Sequence, residues 1–300
     1  MTRYAAEHAP GRATRYAAEH AVHHFAAFSF VDRIGEFEPA LRARGEFTVP
    51  SDLPAFPASL IAEAVGQLAA WVAMEAVEFR GRPVAALAGE TRFSGAVKPG
   101  DTVVLAAEIE RCDDDAVAYA GWAEVDGIRV LELEDCFGAM LPVEEFDSAA
   151  ALRDRLALLR KTGAPTGRFR GIPPRDIEWQ EGVHGKSAAA TLRVPVSAPF
   201  FADHFPRRPV FPATLLLDAQ IDLAMRLAGQ APHWPTGTLL VPSRMTRVKV
   251  RSFTPPGQTL DLAAELTADD DSRATVALTA SADGRTVATA RLEVVAVETR

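Results

Sequence analysis

With two cysteines in 300 residues, Cys112 and Cys136, and no C-x-x-C pair, the chain has neither a disulfide framework nor thiolates for a structural zinc site. Both read as packed small side chains. Basic residues are the minority, 32 Lys and Arg against 40 Asp and Glu, and the formal net charge of −8 excludes a surface built to wrap nucleic acid. An acidic partner must therefore meet a local basic patch. No run approaches the roughly 18 consecutive apolar residues of a spanning helix. Glu7, His8, Arg12 and Arg15 break up the first turns, so no signal peptide or membrane association is expected, and a cytoplasmic location is. What remains is ordinary globular composition, 48 % hydrophobic and 24 % charged, with length enough for two domains.

The chain reads as a duplication. Residues Val97-Lys98-Pro99-Gly100-Asp101-Thr102 and the run to Glu108 are echoed by Thr254-Pro255-Pro256-Gly257-Gln258-Thr259 and the run to Glu265, at an offset of 157. Asp126-Gly127 matches Asp283-Gly284 at the same offset, each a turn dipeptide between apolar runs. Upstream, Phe56-Pro57-Ala58-Ser59-Leu60 matches Phe211-Pro212-Ala213-Thr214-Leu215 at 155. Each half then predicts a Pro-opened, all-round apolar helix (57–78 in the first) followed by strands at 102–109, 116–125 and 128–140, repeated at 260–266, 274–280 and 286–297. Residues 148–161 predict a short charged helix and 162–175, rich in Gly, Pro and Arg, a linker. The expected organisation is a tail at 1–24, a first half at 25–147, helix and linker at 148–175, and a second half at 176–300. Within the tail, Thr2–Ala9 recurs identically as Thr14–Ala21, read as a local duplication.

The densest chemistry lies at Asp203-His204-Phe205-Pro206-Arg207-Arg208-Pro209-Val210-Phe211-Pro212-Ala213, where a histidine is followed by prolines at +2, +5 and +8 and then by an apolar helix carrying Asp218 at +14. The prolines restrict the loop, and the helix start beyond it offers unpaired N–H groups and a dipole that favour developing negative charge. These are the parts of a proton-abstraction site. His184-Gly185-Lys186-Ser187 ends like a phosphate loop, but Gln180 replaces the required glycine, and no nucleotide site is expected. His23-His24 has no partner ligands at metal spacing, so no metal or cofactor is expected either.

This stretch resembles the HFPxxPxxPG…(E/D)A motif of the β-hydroxyacyl-[acyl carrier protein] dehydratases, which have the hotdog fold. Phe28-Ser29-Phe30-Val31-Asp32-Arg33-Ile34 is similar to that family's PFLLVDR opening, and Glu63-Ala64-Val65-Gly66-Gln67 to its EAxxQ helix. The resemblance implies an α+β double hotdog, two tandem repeats each wrapping a curled antiparallel sheet around a buried helix. It also implies a site shared between halves, because in single-hotdog members the histidine of one subunit meets the carboxylate of the other. His204 of the second half would then work with Glu63 of the first; a His204–Asp218 pair within one half is the alternative. The mirror position would set Asp218 opposite Val49 and be inactive.

Further roles follow from the same resemblance. His204, with an ordinary pKa of about 6.5, would take the α-proton of a 3-hydroxyacyl thioester. Glu63 would hold or orient a proton for the departing hydroxyl. Ala213 stands where the family has glycine and would offer its N–H to the enolate-like oxygen. Phe205, Pro212 and Gln67 are placed against the substrate, while Asp222 replaces the glutamine in the second half. Arg207, Arg208, Arg247, Lys249 and Arg251 make a candidate landing patch for acyl carrier protein; solvated edge cations are the bland reading. Both halves of the site lie in one chain, so a monomer could suffice and a homodimer is equally compatible. A hotdog thioesterase and a non-catalytic acyl-binding partner are the alternative functions.

Overall fold

The computed structural model describes residues 24–180, 182–230, 234, 238–270 and 272–297, so the octapeptide repeat of the tail lies outside the described residues. In the first half, β1 (Arg33–Glu38) and β2 (Arg42–Thr48) precede helix α1 (Ala58–Ala76), and β3 (Gly81–Phe93), β4 (Thr102–Cys112), β5 (Ala116–Val125) and β6 (Ile128–Pro142) follow. Helix α2 (Ala149–Lys161) leads to the second half: β7 (Asp176–Gln180), β8 (Ser187–Arg193), helix α3 (Ala213–Ala228), β9 (Leu239–Val250), β10 (Thr259–Asp269), β11 (Arg273–Ala282) and β12 (Arg285–Val297).

The strands make one sheet in the order β1-β2-β4-β5-β6-β3-β9-β12-β11-β10-β8-β7. Read from either edge inward, the order of one half repeats that of the other. The halves meet edge to edge, antiparallel, from Leu87↔Lys249 to Arg92↔Arg244, which places α1 and α3 in contact. A pseudo-twofold axis therefore relates the halves.

Helix α1 has Leu60, Ile61, Ala64, Val65, Leu68 and Val72 buried, as its all-round apolar sequence requires, and packs on β4; α3 packs on β10. The two Asp-Gly turns both have positive φ at each central residue, 51° and 75° at Asp126-Gly127 and 51° and 73° at Asp283-Gly284. That is the backbone of a tight turn matched to strand twist. Ser148 caps α2, its hydroxyl accepting from the Ala151 N–H at 3.4 Å. The 162–175 segment is docked rather than free. Phe169 is buried with its ring centroid 5.0 Å from Phe30, and the Ala164 N–H donates to the Asp32 carbonyl at 2.7 Å. Arg247, Lys249 and Arg251 recur with period two in the sequence, the spacing of one strand face, but the structure does not place them on one regular face. Arg247 has φ 54° at a register irregularity, and Arg251 lies just beyond the end of β9.

Candidate active site

A cavity of about 230 Å³ is lined from both halves. The first half contributes α1 and β3, the second the loop from Asp203 to Phe211 and the start of α3. Its wall is mostly apolar, with Trp71, Met74, Val117 and Leu133 on one side and Phe205 and Leu216 on the other. His204 and Glu63 both open onto it; Asp218 does not.

The imidazole of His204 is held on several sides. Its Nδ1 lies 3.0 Å from the Val210 carbonyl oxygen. A carbonyl only accepts, so Nδ1 carries the hydrogen and Nε2 keeps a lone pair. The Phe205 ring lies against it at 4.3 Å between centroids and 21° between planes, and Phe28 meets it edge-on at 5.7 Å. Burial pushes the His204 pKa below its ordinary value, and Glu63 pulls it part of the way back. The result near neutral pH is an unprotonated base. Beside it, the buried Asp203 carboxylate accepts from the N–H groups of Phe25 and Phe28, the latter at 2.6 Å, and from Ser29 Oγ at 3.1 Å. It thereby ties the opening segment of the first half to the His204 loop of the second. Burial raises the Asp203 pKa even against these donors.

Glu63 is fixed by two donors, Gln67 Nε2 to Oε1 at 2.9 Å and Thr214 Oγ1 to Oε2 at 2.8 Å. Gln67 also accepts from the Phe30 N–H and donates to the Phe28 carbonyl, both at 2.9 Å. Thr214 belongs to the other half, and its counterpart 155 residues earlier is Ser59, whose hydroxyl donates to Asp218 Oδ1 at 3.1 Å. The pseudo-twofold thus repeats the hydroxyl–acid pair. What faces the second acid differs: Arg175 Nη1 donates to Asp218 Oδ2 at 2.8 Å and Nη2 to Asp222. At the position equivalent to His204 stands the fully buried Val49. Burial raises the Asp218 pKa while Arg175 opposes it.

Ala213 is the first residue of α3, lines the cavity and has no positive φ, so its methyl is compatible with the backbone there. Its N–H belongs to the first turn, whose N–H groups lack intrahelical partners. Phe205 lines the cavity; Pro212 does not, being the residue before α3 whose carbonyl accepts from Leu215 and Leu216. The basic patch is less free than its sequence suggests, for Arg207 pairs with Glu144, and Arg208 with Glu145 at 2.9 Å. Arg251 donates to Thr289 Oγ1 at 3.0 Å, while Arg247 and Lys249 are exposed.

Three lining groups have no signal in the sequence pattern: Arg82 at the start of β3, and Tyr119 and Cys136, whose hydroxyl and thiol pair on the wall. Burial holds the Cys136 thiol up at about 12, an inert rather than a nucleophilic sulfur. Thr214 does have a signal, since the repeat aligns it with Ser59. No group of His, Cys, Asp and Glu able to hold a metal ion occurs among the described residues. Among those residues no helix is long and apolar enough to cross a membrane.

Residues 50–134 match the FabA-like domain family and residues 180–291 the ApeI dehydratase family. The 3-hydroxyacyl-[acyl-carrier-protein] dehydratase FabZ of Bacillus subtilis is 37 % identical over 128 residues, covering 39 % of this chain and 90 % of its own. The corresponding protein of Chloroflexus aggregans is 38 % identical over 102 residues, 30 % of this chain and 70 % of its own. Among solved structures, a putative oleoyl thioesterase from Lactobacillus plantarum superposes with a TM-score of 0.56 at 10 % identity, over 86 % of this chain and 97 % of that one. A hot dog fold protein of unknown function from Alicyclobacillus acidocaldarius gives 0.52 at 15 %, over 92 % and 98 %. At these identities the structures carry the fold, an α+β double hotdog, and nothing about the reaction.

Proposed function

Since the chain belongs to the hotdog-fold 3-hydroxyacyl-[acyl-carrier-protein] dehydratase family and is a dehydratase, we propose that it converts a 3-hydroxyacyl thioester on acyl carrier protein to the trans-2-enoyl thioester. Fatty acid or polyketide assembly in the cytoplasm is the setting. The observation that carries this reading is the pairing of His204, with Nε2 free to accept a proton, and Glu63 of the other half on one apolar cavity. His204 Nε2 takes the C2 proton. Electron density moves onto the thioester oxygen, met by the N–H of Ala213 at the positive end of α3. The C3–O bond then breaks. Glu63, oriented by Gln67 and Thr214, holds the departing hydroxyl, which takes from His204 the proton removed from C2 and leaves as water. The site returns to its starting protonation state, and no metal or cofactor enters the steps.

The test is mass spectrometry of water loss from carrier-bound 3-hydroxyacyl thioesters, using wild type beside His204→Ala, Glu63→Gln and Asp218→Asn. Loss of turnover in the first two and its survival in the third is the expected result. Dependence on Asp218 in place of Glu63 moves the acid into the second half, and absence of water loss from every thioester overturns the reading.

A further inference from the structure

Arg82 is the feature of the cavity that the proposed reaction leaves unexplained. Its guanidinium lines the catalytic cavity with a side chain only 17 % exposed, where an unneeded charge is costly to keep. It is held in place from behind. Nη1 lies 3.2 Å from Asp147 Oδ2, and Asp147, 2 % exposed, is itself anchored by the Ser148 N–H to Oδ1 at 2.7 Å. In front, the Arg82 Cζ lies 4.5 Å from the centroid of Phe205, the ring stacked on the His204 imidazole. Phe205 is in turn wedged by Phe146, the residue before Asp147, at 5.1 Å. One carboxylate and one pair of aromatic rings thus fix a cation beside the base.

We propose that Arg82 is a positioning residue for His204: anchored by Asp147 and laid over the ring that stacks on the imidazole, its permanent charge adds to burial in disfavouring the imidazolium and so helps hold the base ready to accept a proton. The inference rests on the proposed dehydration. An arginine suits the task because it never loses its proton, and its planar group covers an aromatic face as an ammonium does not. The charged groups around His204 are Glu63 from α1, Asp203 beside it in the loop and Arg82 from β3. Behind them stand Asp147 and His24 on the Arg82 side, and Arg155 of α2 on the Asp203 side. Glu63 favours the protonated imidazole; Arg82 opposes it.

Two readouts test this, an NMR titration of the imidazole, assigned by its loss in His204→Ala, and the pH profile of kcat/KM. A neighbouring cation disfavours imidazolium, so Arg82→Gln raises the His204 titration point, and the acid limb of kcat/KM follows, by on the order of one pH unit. Arg82→Lys keeps the charge and leaves both where they were. Because Arg82→Gln strands a buried Asp147, the double variant Arg82→Gln, Asp147→Asn is measured with it and shifts the same way. An unmoved titration point in the folded Gln variants overturns the proposal. So does a rise in KM for carrier-bound substrate alone with the limb in place, which would assign the guanidinium to the carrier arm. The NMR arm does not need turnover, so failure of the dehydratase reading is distinguishable from failure of this one.

Discussion

Thr214 and Ser59 are pseudo-twofold mates, each the second residue of its helix and each donating its hydroxyl to the acid of the other half, at 2.8 Å to Glu63 and 3.1 Å to Asp218. Removing both hydroxyls one at a time asks which acid works. Thr214→Val keeps the shape and deletes the donor. A hydrogen bond to a charged group is worth about 1.5–3 kcal/mol, equivalent to roughly 10–150-fold in rate if it is needed to hold the carboxylate through the transition state. A fall in kcat of about tenfold or more is expected, with thioester KM nearly constant. Ser59→Ala removes the equivalent bond from an acid that still holds Arg175, so turnover is retained and stability falls by about 1 kcal/mol. The assay is the appearance of the conjugated enoyl thioester, with thermal melts on both proteins. Full activity in Thr214→Val, or an equal loss in Ser59→Ala, would refute the assignment of the working acid to the first half.

The protein's pH response has a second, structural source in Asp32, 8 % exposed and accepting from the Thr48 N–H at 2.8 Å, whose pKa burial raises to about 6. A folded-state pKa above the unfolded one means stability present below about pH 4 and lost as pH rises through 6, so Asp32→Asn matches wild type near pH 4. It gains about 1–2 kcal/mol near neutrality after allowance for solvent screening, read from denaturant midpoints at both pH values; a gain that does not grow with pH contradicts the burial argument. At Gly121 of β5 an added Cβ would lie 2.6 Å from the Ala106 carbonyl oxygen and 2.5 Å from Val65 Cγ1, so α1 and β4 would both have to move. Gly121→Ala is expected to cost about 2 kcal/mol or more, and an unchanged melting temperature would show that the helix slides freely over the sheet.

The parts of the fold legible in the sequence are those with strong local patterns. The helix expected at 57–78 is α1, and the strands expected at 102–109, 116–125 and 128–140 are β4, β5 and β6, displaced only at their C-terminal ends. The early strands of each half were not visible. β1 and β2 (RIGEFE, RARGEFT) carry charges at most outward positions over few residues, and β3 contains Pro83, which masks a strand; β9 is legible only at the end carrying Arg247 and Lys249, Pro242 masking the rest. Nor does local pattern encode the β3–β9 seam, which decides that α1 and α3 exchange hydroxyls. His204 could be found because a Pro-spaced loop marks it, and Glu63 and Gln67 because their helix resembles the family's EAxxQ pattern. Arg82, Tyr119 and Arg175 could not, since each acts through a partner far away in sequence.

Arg175 shows how one half of a duplicated pair comes to differ from the other. With Val49 where the imidazole stands across the axis, an acid on the second helix faces no base, and a buried carboxylate without a partner is costly. Such an acid must be replaced, protonated or paired. Here Asp218 and Asp222 are both paired by one guanidinium from the segment joining the halves. The forked geometry of arginine suits two carboxylates a helical turn apart. That contact gives the connecting segment a fixed seat on α3, as Phe169 gives it one in the first half. The same hydroxyl–acid pair thus has two surroundings: an apolar cavity shared with an imidazole on one side, a paired guanidinium on the other.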